Sequence, residues 1–211
     1  MPPLREVASN VSTMAMPIYI SLLRGINVGG HNKVPMERLC ALCEGLGFEQ
    51  VKTFIQSGNV VFKAVKVTPA ELSLKIEKKT LAEFGFPVSV VTRTPEELGK
   101  AIAGNPFVKE SKAEPAKVHI AFLSEAPKAE ALKKLETLAT KTEQLRYADR
   151  EIYLYYRDGM GKAKLTGAVI ERVLGVAATA RNWNTVTKLY EMAAEELKTQ
   201  SAQRTPRKKD R

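Results

Sequence analysis

The residues best suited to chemistry form a glycine-rich run, Leu22-Leu23-Arg24-Gly25-Ile26-Asn27-Val28-Gly29-Gly30, with Lys33 and Pro35 shortly after it. Glycines let backbone amides approach a ligand closely, and a helix opening at Pro35 adds free N–H groups behind them. With Arg24, Asn27 and Lys33 these features describe a site for a phosphate or carboxylate. The Gly-Lys-Ser/Thr ending of a P-loop is absent, as is the G-x-G-x-x-G spacing of a dinucleotide fold. A plainer reading also fits: the glycines ease a tight strand-to-helix turn and Arg24 makes a structural ion pair. Gln56-Ser57-Gly58-Asn59 has the composition of a hairpin turn. Its polar groups Gln56, Ser57 and Asn59 are expected to meet the glycine loop.

A second cluster lies in the later half, in Gly159-Met160-Gly161-Lys162-Ala163-Lys164 and Thr179-Ala180-Arg181-Asn182-Trp183-Asn184-Thr185. Two helices start there, and their N–H groups with Lys162, Lys164 and Arg181 favour an anion, Asn184 and Thr185 adjoining. Asn182 and Asn184 serve equally well as helix caps, and Trp183 as a core anchor.

Other chemistries have little to draw on. Histidine occurs at His31 and His119, and aspartate at Asp149, Asp158 and Asp210. Zinc sites, Ser-His-Asp triads and two-metal phosphoryl transfer therefore lack ligands, and neither a metal nor a cofactor is expected. Cys40-x-x-Cys43 falls among core-facing positions past the first turn of its helix, where packing explains it better than redox chemistry. Tyr153 and Tyr155 alternate on one strand face, as in sheets that stack RNA bases. Asn59-Val60-Val61-Phe62, however, lacks the Gly/aromatic alternation of that signature.

The elements that must carry these residues follow from periodicity. Strands are expected at 18–26, 51–56, 60–64 and 88–92, with helices from Pro35 to Gly47 and over 69–84, in the order βαββαβ. After a helix at 95–103 and a loop rich in Gly, Pro, Lys and Ser, the order begins again. Strands at 118–123, 143–147, 151–156 and 177–180 alternate with helices at 127–140 and 165–174, and a helix over 183–197 follows. Both halves finish alike, with Thr92-Arg93 and Ala180-Arg181 leading from the last strand into a helix. The expected fold is α+β: two tandem ferredoxin-like units, helices covering one sheet face, at 16–103 and 117–197 with a linker at 104–116.

The chain has 211 residues and a formal net charge of +10, which raises the question of a negatively charged partner. Lys198 to Arg211 holds Lys198, Arg204, Arg207, Lys208, Lys209 and Arg211 against Asp210, so half of the net charge lies in a tail expected to be disordered. Residues 1–15 lack a basic n-region and a continuous apolar core, which argues for a frayed extension and against a signal peptide. No run approaches the ~18 apolar residues of a membrane helix. With two cysteines a disulfide framework is excluded, and a reducing, cytoplasmic location is expected.

The glycine-rich run, its continuation through Val34-Pro35-Met36, and Thr53-Phe54-Ile55-Gln56-Ser57-Gly58-Asn59-Val60-Val61-Phe62 resemble a bacterial family known as domain of unknown function 1697. Lys164-Leu165-Thr166 and Thr179-Ala180-Arg181-Asn182-Trp183-Asn184-Thr185-Val186 match its pattern too, so the resemblance spans roughly residues 16 to 195. It implies a cytoplasmic bacterial α+β protein and no activity, substrate or catalytic residue. Many relatives place a serine where this chain has Ala163.

The leading expectation is therefore a protein that binds an anionic small molecule, with the basic tail making at most weak nucleic-acid contacts and no membrane partner. One alternative is an RNA or single-stranded nucleic-acid binder. Another is a transferase or hydrolase acting on a phosphorylated small molecule, with Arg24 and Arg181 clamping charge and Asp158 the loop aspartate nearest a candidate site.

Overall fold

The computed structural model describes residues 16–204, so the expected N-terminal extension (1–15) and residues 205–211 of the expected tail lie outside the described residues. The first half runs β1 (Ile18–Leu23), α1 (Met36–Glu44), β2 (Glu49–Phe54), β3 (Asn59–Lys63), α2 (Pro69–Phe84), β4 (Val90–Arg93) and α3 (Pro95–Ala103). A short α4 (Val108–Ala113) and a 3-10 turn (Pro115–Lys117) follow. The second half runs β5 (Val118–Leu123), α5 (Ala129–Thr137), β6 (Glu143–Ala148), β7 (Glu151–Tyr156), α6 (Gly167–Leu174), β8 (Ala178–Asn182) and α7 (Trp183–Arg204). The strands form two four-stranded antiparallel sheets, ordered β2-β3-β1-β4 and β6-β7-β5-β8.

Local sequence explains the best-defined boundaries. Thr68-Pro69-Ala70-Glu71 and Thr94-Pro95-Glu96-Glu97 both close capping boxes, the threonine hydroxyl accepting from the glutamate amide and the glutamate carboxylate accepting from the threonine amide. Proline takes the first helical position, where its missing N–H costs nothing. Gly85, at φ 79, ends α2 in the left-handed conformation that glycine adopts without strain.

Alternation along the strands sorts side chains into three cores. Tyr19, Leu23, Val60 and Phe62 face α1 and α2. Ala121, Leu123, Ile152, Leu154 and Tyr156 face α5 and α6. The third core lies between the sheets, where Ile18, Ile20, Leu22 and Val61 share one cluster with Val118, Ile120, Phe122, Tyr153 and Tyr155. Leu98 and Ala101 of α3 and Val186, Leu189 and Ala193 of α7 belong to it as well. Each large apolar side chain enclosed there contributes about 1.5–3 kcal/mol. The two halves thus share a core, and this explains why β1, β3, β5 and β7 are apolar on both faces rather than alternating with polar residues.

Three expectations are corrected here. Helices cover both faces of each sheet, because α3 and α7 fill the inner side. The expected linker is structured: it contains α4, and Phe107 is buried in the shared core, which an open loop would leave exposed. The expected disordered tail is helical as far as Arg204, because α7 continues past Leu197.

The two sheets also repeat each other in register. Ile20 pairs with Arg93 and Ile120 with Arg181. Leu22 pairs with Asn59 and Phe122 with Glu151. Arg93 therefore corresponds to Arg181, and Asn59 to Glu151.

Candidate functional site

The loop from Arg24 to Pro35 leaves β1 through left-handed turns at Gly25, Asn27, Gly29, Gly30 and Asn32. Asn27 is its fastener. Its Oδ1 accepts from the Val34 amide, and its Nδ2 donates to the Val34 and Gln56 carbonyls, each at 2.8 Å. One side chain thus ties the glycine loop both to the start of α1 and to the β2–β3 hairpin. A cleft of about 570 Å³ opens here, lined by Asn27, Gly30, Lys33, Gln56 and the Pro35–Glu37 stretch that begins α1. No side chain caps α1, so its first amides lack the partner that Thr68 supplies in α2. At the hairpin, Ile55 takes φ 47, a costly conformation for a β-branched residue, and exposes its side chain beside Gln56.

Of the first predicted cluster, Asn27, Gly30, Lys33 and Gln56 meet in this cleft, and Gly29 lies in the same loop. Arg24 turns away and pairs with Glu171 of α6 at 2.6 Å, so its plainer reading holds. Glu171 also accepts the Ala178 amide that starts β8. Ser57 and Asn59 act within the hairpin: Asn59 Nδ2 donates to the Phe54 carbonyl and to Ser57 Oγ.

The second cluster does not join the cleft. Lys162 and Lys164 are exposed in a loop held by Glu143, whose Oε1 accepts the amides of Lys164 and Leu165 and whose Oε2 accepts that of Thr140. Burial pushes the Glu143 carboxyl up, but those amide bonds outweigh it and hold it below the usual range. Asn182 caps α7 by accepting the Thr185 amide at 2.9 Å, and Trp183 packs against the shared core. Thr185 is buried, while Asn184 is exposed and offers its carbonyl to Thr187. Asp158 is exposed and does not line the cleft, so the transferase or hydrolase reading has no base there from this residue. The carboxylate that does line it, Glu37, was missed in the sequence, where it reads as an ordinary first-turn helix residue.

Arg181 is enclosed by acceptors from both halves. Its Nη2 donates to the Leu23 carbonyl at 2.7 Å and the Ser57 carbonyl at 2.8 Å, with Gly58 at 3.4 Å. Its Nε donates to Asn59 Oδ1 at 2.5 Å, and its Nη1 to Thr179 Oγ1 and the Ala180 carbonyl. The guanidinium is spent on protein and cannot clamp a substrate. Arg93 does the reciprocal: Nη2 donates to the Leu123 carbonyl at 2.7 Å, Nε to Glu151 at 3.2 Å and Nη1 to the Thr92 carbonyl. Sequence reasoning saw the matching Thr-Arg and Ala-Arg endings, but not that each arginine crosses to the other half.

Base stacking on the sheet face is closed. Tyr153 and Tyr155 are buried between the sheets, their hydroxyls donating to the Ala101 carbonyl and to Glu114. Cys43 is buried and its thiol is pushed up to about 12, chiefly by that burial, which suits packing and not redox chemistry. Among the described residues no group of three or more His, Cys, Asp or Glu side chains is placed to hold a metal, and no helix is long and apolar enough to cross a membrane.

The family profile described as "Protein of unknown function (DUF1697)" matches residues 16–153, from the start of β1 into β7. The chain belongs to the DUF1697 family. The matched span includes all the residues lining the cleft and stops short of β8 and Arg181. Among solved structures, this DUF1697 protein is similar to the conserved bacterial protein SP0830 from Streptococcus pneumoniae, at 26% identity and a TM-score of 0.66. That likeness covers 85% of this chain and 99% of the other, so it extends over both halves. No curated protein matches the chain.

Proposed function

We propose that this DUF1697 protein binds a small anionic ligand, phosphate- or carboxylate-bearing, in the cleft of its first half. The observation that carries the reading is the cleft itself: about 570 Å³, with Lys33, Gly30 and Gln56 in its wall beside a helix start that no side chain caps. A ligand oxygen there would meet backbone N–H groups, a helix dipole and a lysine. Glu37 in the same wall disfavours a densely charged polyanion and fits a ligand with one anionic group and an uncharged remainder.

The scaffold supports this reading as a pair of ferredoxin-like units in tandem, each carrying one additional helix and only the first bearing a long glycine loop. The free thiols Cys40 and Cys43 support a cytoplasmic setting. The test is a thermal-shift screen of the full chain against inorganic phosphate, phosphorylated metabolites and small carboxylates. Saturable stabilisation that Lys33→Glu abolishes supports the reading. A complete absence of stabilisation across the three classes overturns it.

A further inference from the structure

Arg181 belongs to the second half, yet it holds the loops of the cleft in the first. It accepts no ligand, but the carbonyls it binds are those of Leu23, which heads the glycine loop, and of Ser57, which adjoins Gln56 in the cleft wall. Asn59, whose Oδ1 accepts from Arg181 Nε, fixes the hairpin through Phe54 and Ser57. The Gln56 carbonyl is in turn bonded to Asn27. Arg181 is therefore one hydrogen bond and one residue step from Gln56, and one further hydrogen bond from Asn27.

The charge of Arg181 is also unusual. Its acceptors are carbonyls, a hydroxyl and an amide oxygen, and among the described residues none is a carboxylate. A buried cation without a counter-charge is unfavourable, and burial pulls this guanidinium down to about 10. At the corresponding place in the other half, Arg93 has Glu151.

We propose that Arg181 is the positioning residue of the cleft: it fixes the Leu23 and Ser57–Asn59 backbone that carries the cleft walls, and its unneutralised charge beneath those loops biases the adjoining cleft toward an anion. The inference rests on the anion-binding reading above and adds that the site is a joint product of both halves. Arg93, with its carboxylate partner and no comparable glycine loop over it, provides the internal control.

The experiment titrates inorganic phosphate, glycerol 3-phosphate and acetate, at fixed ionic strength, into the full chain while the amide resonances of Asn27, Gly30 and Gln56 are followed. The variants are Arg181→Lys, Asn59→Asp and Arg93→Lys, with the stability of each measured by urea unfolding. In the unaltered protein the three amides shift saturably. Arg181→Lys, losing the fork that spans Leu23, Ser57 and Asn59, weakens binding by roughly tenfold or more. Asn59→Asp gives Arg181 the carboxylate it lacks, at the loss of the Nδ2 donations, and weakens phosphate binding while the guanidinium stays paired. Arg93→Lys lowers stability and leaves the phosphate affinity unchanged. If the unaltered protein shows no shifts at the cleft, the anion-binding reading fails and takes this inference with it. If it binds but Arg181→Lys binds equally well, or Arg93→Lys weakens binding as much, only the positioning role is overturned. Should Arg181→Lys not fold, Asn59→Asp decides, and unchanged affinity there removes the inference.

Discussion

Arg93 and Arg181 sit opposite Ile20 and Ile120 in their sheets, and each sends Nη2 to the carbonyl that ends the other half's first strand, Leu123 or Leu23. Beyond that point they differ. Arg93 meets a carboxylate, Glu151, and the strand-to-helix connection it supports is brief, β5 ending at Leu123 and α5 starting at Ala129. Arg181 meets only neutral oxygens, and the loop it supports runs from Arg24 to Pro35 before α1 begins. A common joint thus holds the two halves together, while the element hung on it is neutral and short in one place, cationic and long in the other. A candidate site appears where the joint is left electrically incomplete.

The comparison is most exposed to removal of the guanidinia. Arg93→Met strands Glu151 without its partner and is expected to cost about 3–5 kcal/mol. Arg181→Met leaves only neutral acceptors unpaired, but several of them, each at about 1–3 kcal/mol, so its total loss is expected to be at least as large. Urea unfolding at pH 7 measures both, and the two joints are told apart by how each loss responds to pH.

Acidification sharpens the same contrast. Burial raises the Glu151 carboxyl above its ordinary value, with Arg93 pulling in the opposite direction. A carboxyl raised in the folded state binds more protons there than in the unfolded chain, so its contribution becomes less favourable as pH rises from the ordinary carboxylate range through the raised value. Without Arg93 the rise is larger. The deficit of Arg93→Met should therefore shrink as the medium is taken from pH 7 to about 4.5, whereas that of Arg181→Met, with no carboxylate in its joint, should not respond over that interval.

The hairpin beneath Arg181 offers a smaller effect. Gly58 has φ +74, and a Cβ there would stand 2.8 Å from both Leu23 Cβ and Ile26 Cδ1. Gly58→Ala is expected to cost about 1–3 kcal/mol through strain and overpacking. Thermal unfolding would show this, with the amide resonances of Asn27 and Gln56 moving as the cleft deforms. The smallest effect belongs to Arg24→Ala. Its ion pair with Glu171 is about one-third exposed on the arginine side, and after allowance for solvent screening it contributes no more than about 0.5–1 kcal/mol. A larger loss would mean that the contact between the halves depends on this surface pair as well as on the two buried joints.

Much of this architecture is legible in the sequence where its causes are local. α2, α3, β5 and β7 fall where periodicity puts them, and the cleft gathers Asn27, Gly30, Lys33 and Gln56 as the expected topology requires. What escapes sequence reasoning has distant causes. β4 and β8 run on to Arg93 and Asn182, beyond the apolar stretch, because their arginines are satisfied by the opposite half. α4 is polar in sequence and is anchored through Phe107, whose importance appears only once there is a shared core to enter. Arg181 reads as a surface cation beside a helix start until the facing carbonyls are known. Tyr153 and Tyr155 read as an open aromatic face until a second sheet lies over them.

The last helix gives the fold a temporal consequence. α7 leaves the second sheet at Asn182 and crosses onto the first, where Glu196 meets Lys52 and Lys63, and Gln200 donates to the carbonyl of Met16. At 1.5 Å per residue its 22 residues span about 33 Å. On the ribosome, β1 and β3 are made early, but the helix that shields their inner face is made after every other described element. Until it emerges, Ile18, Ile20 and Val61 lack part of their cover, and a nascent first half would be prone to sticking to other chains. Folding thus closes a separation of 184 residues, from Met16 to Gln200, and a ribosome stalled before α7 should yield an aggregation-prone product rather than a smaller working protein.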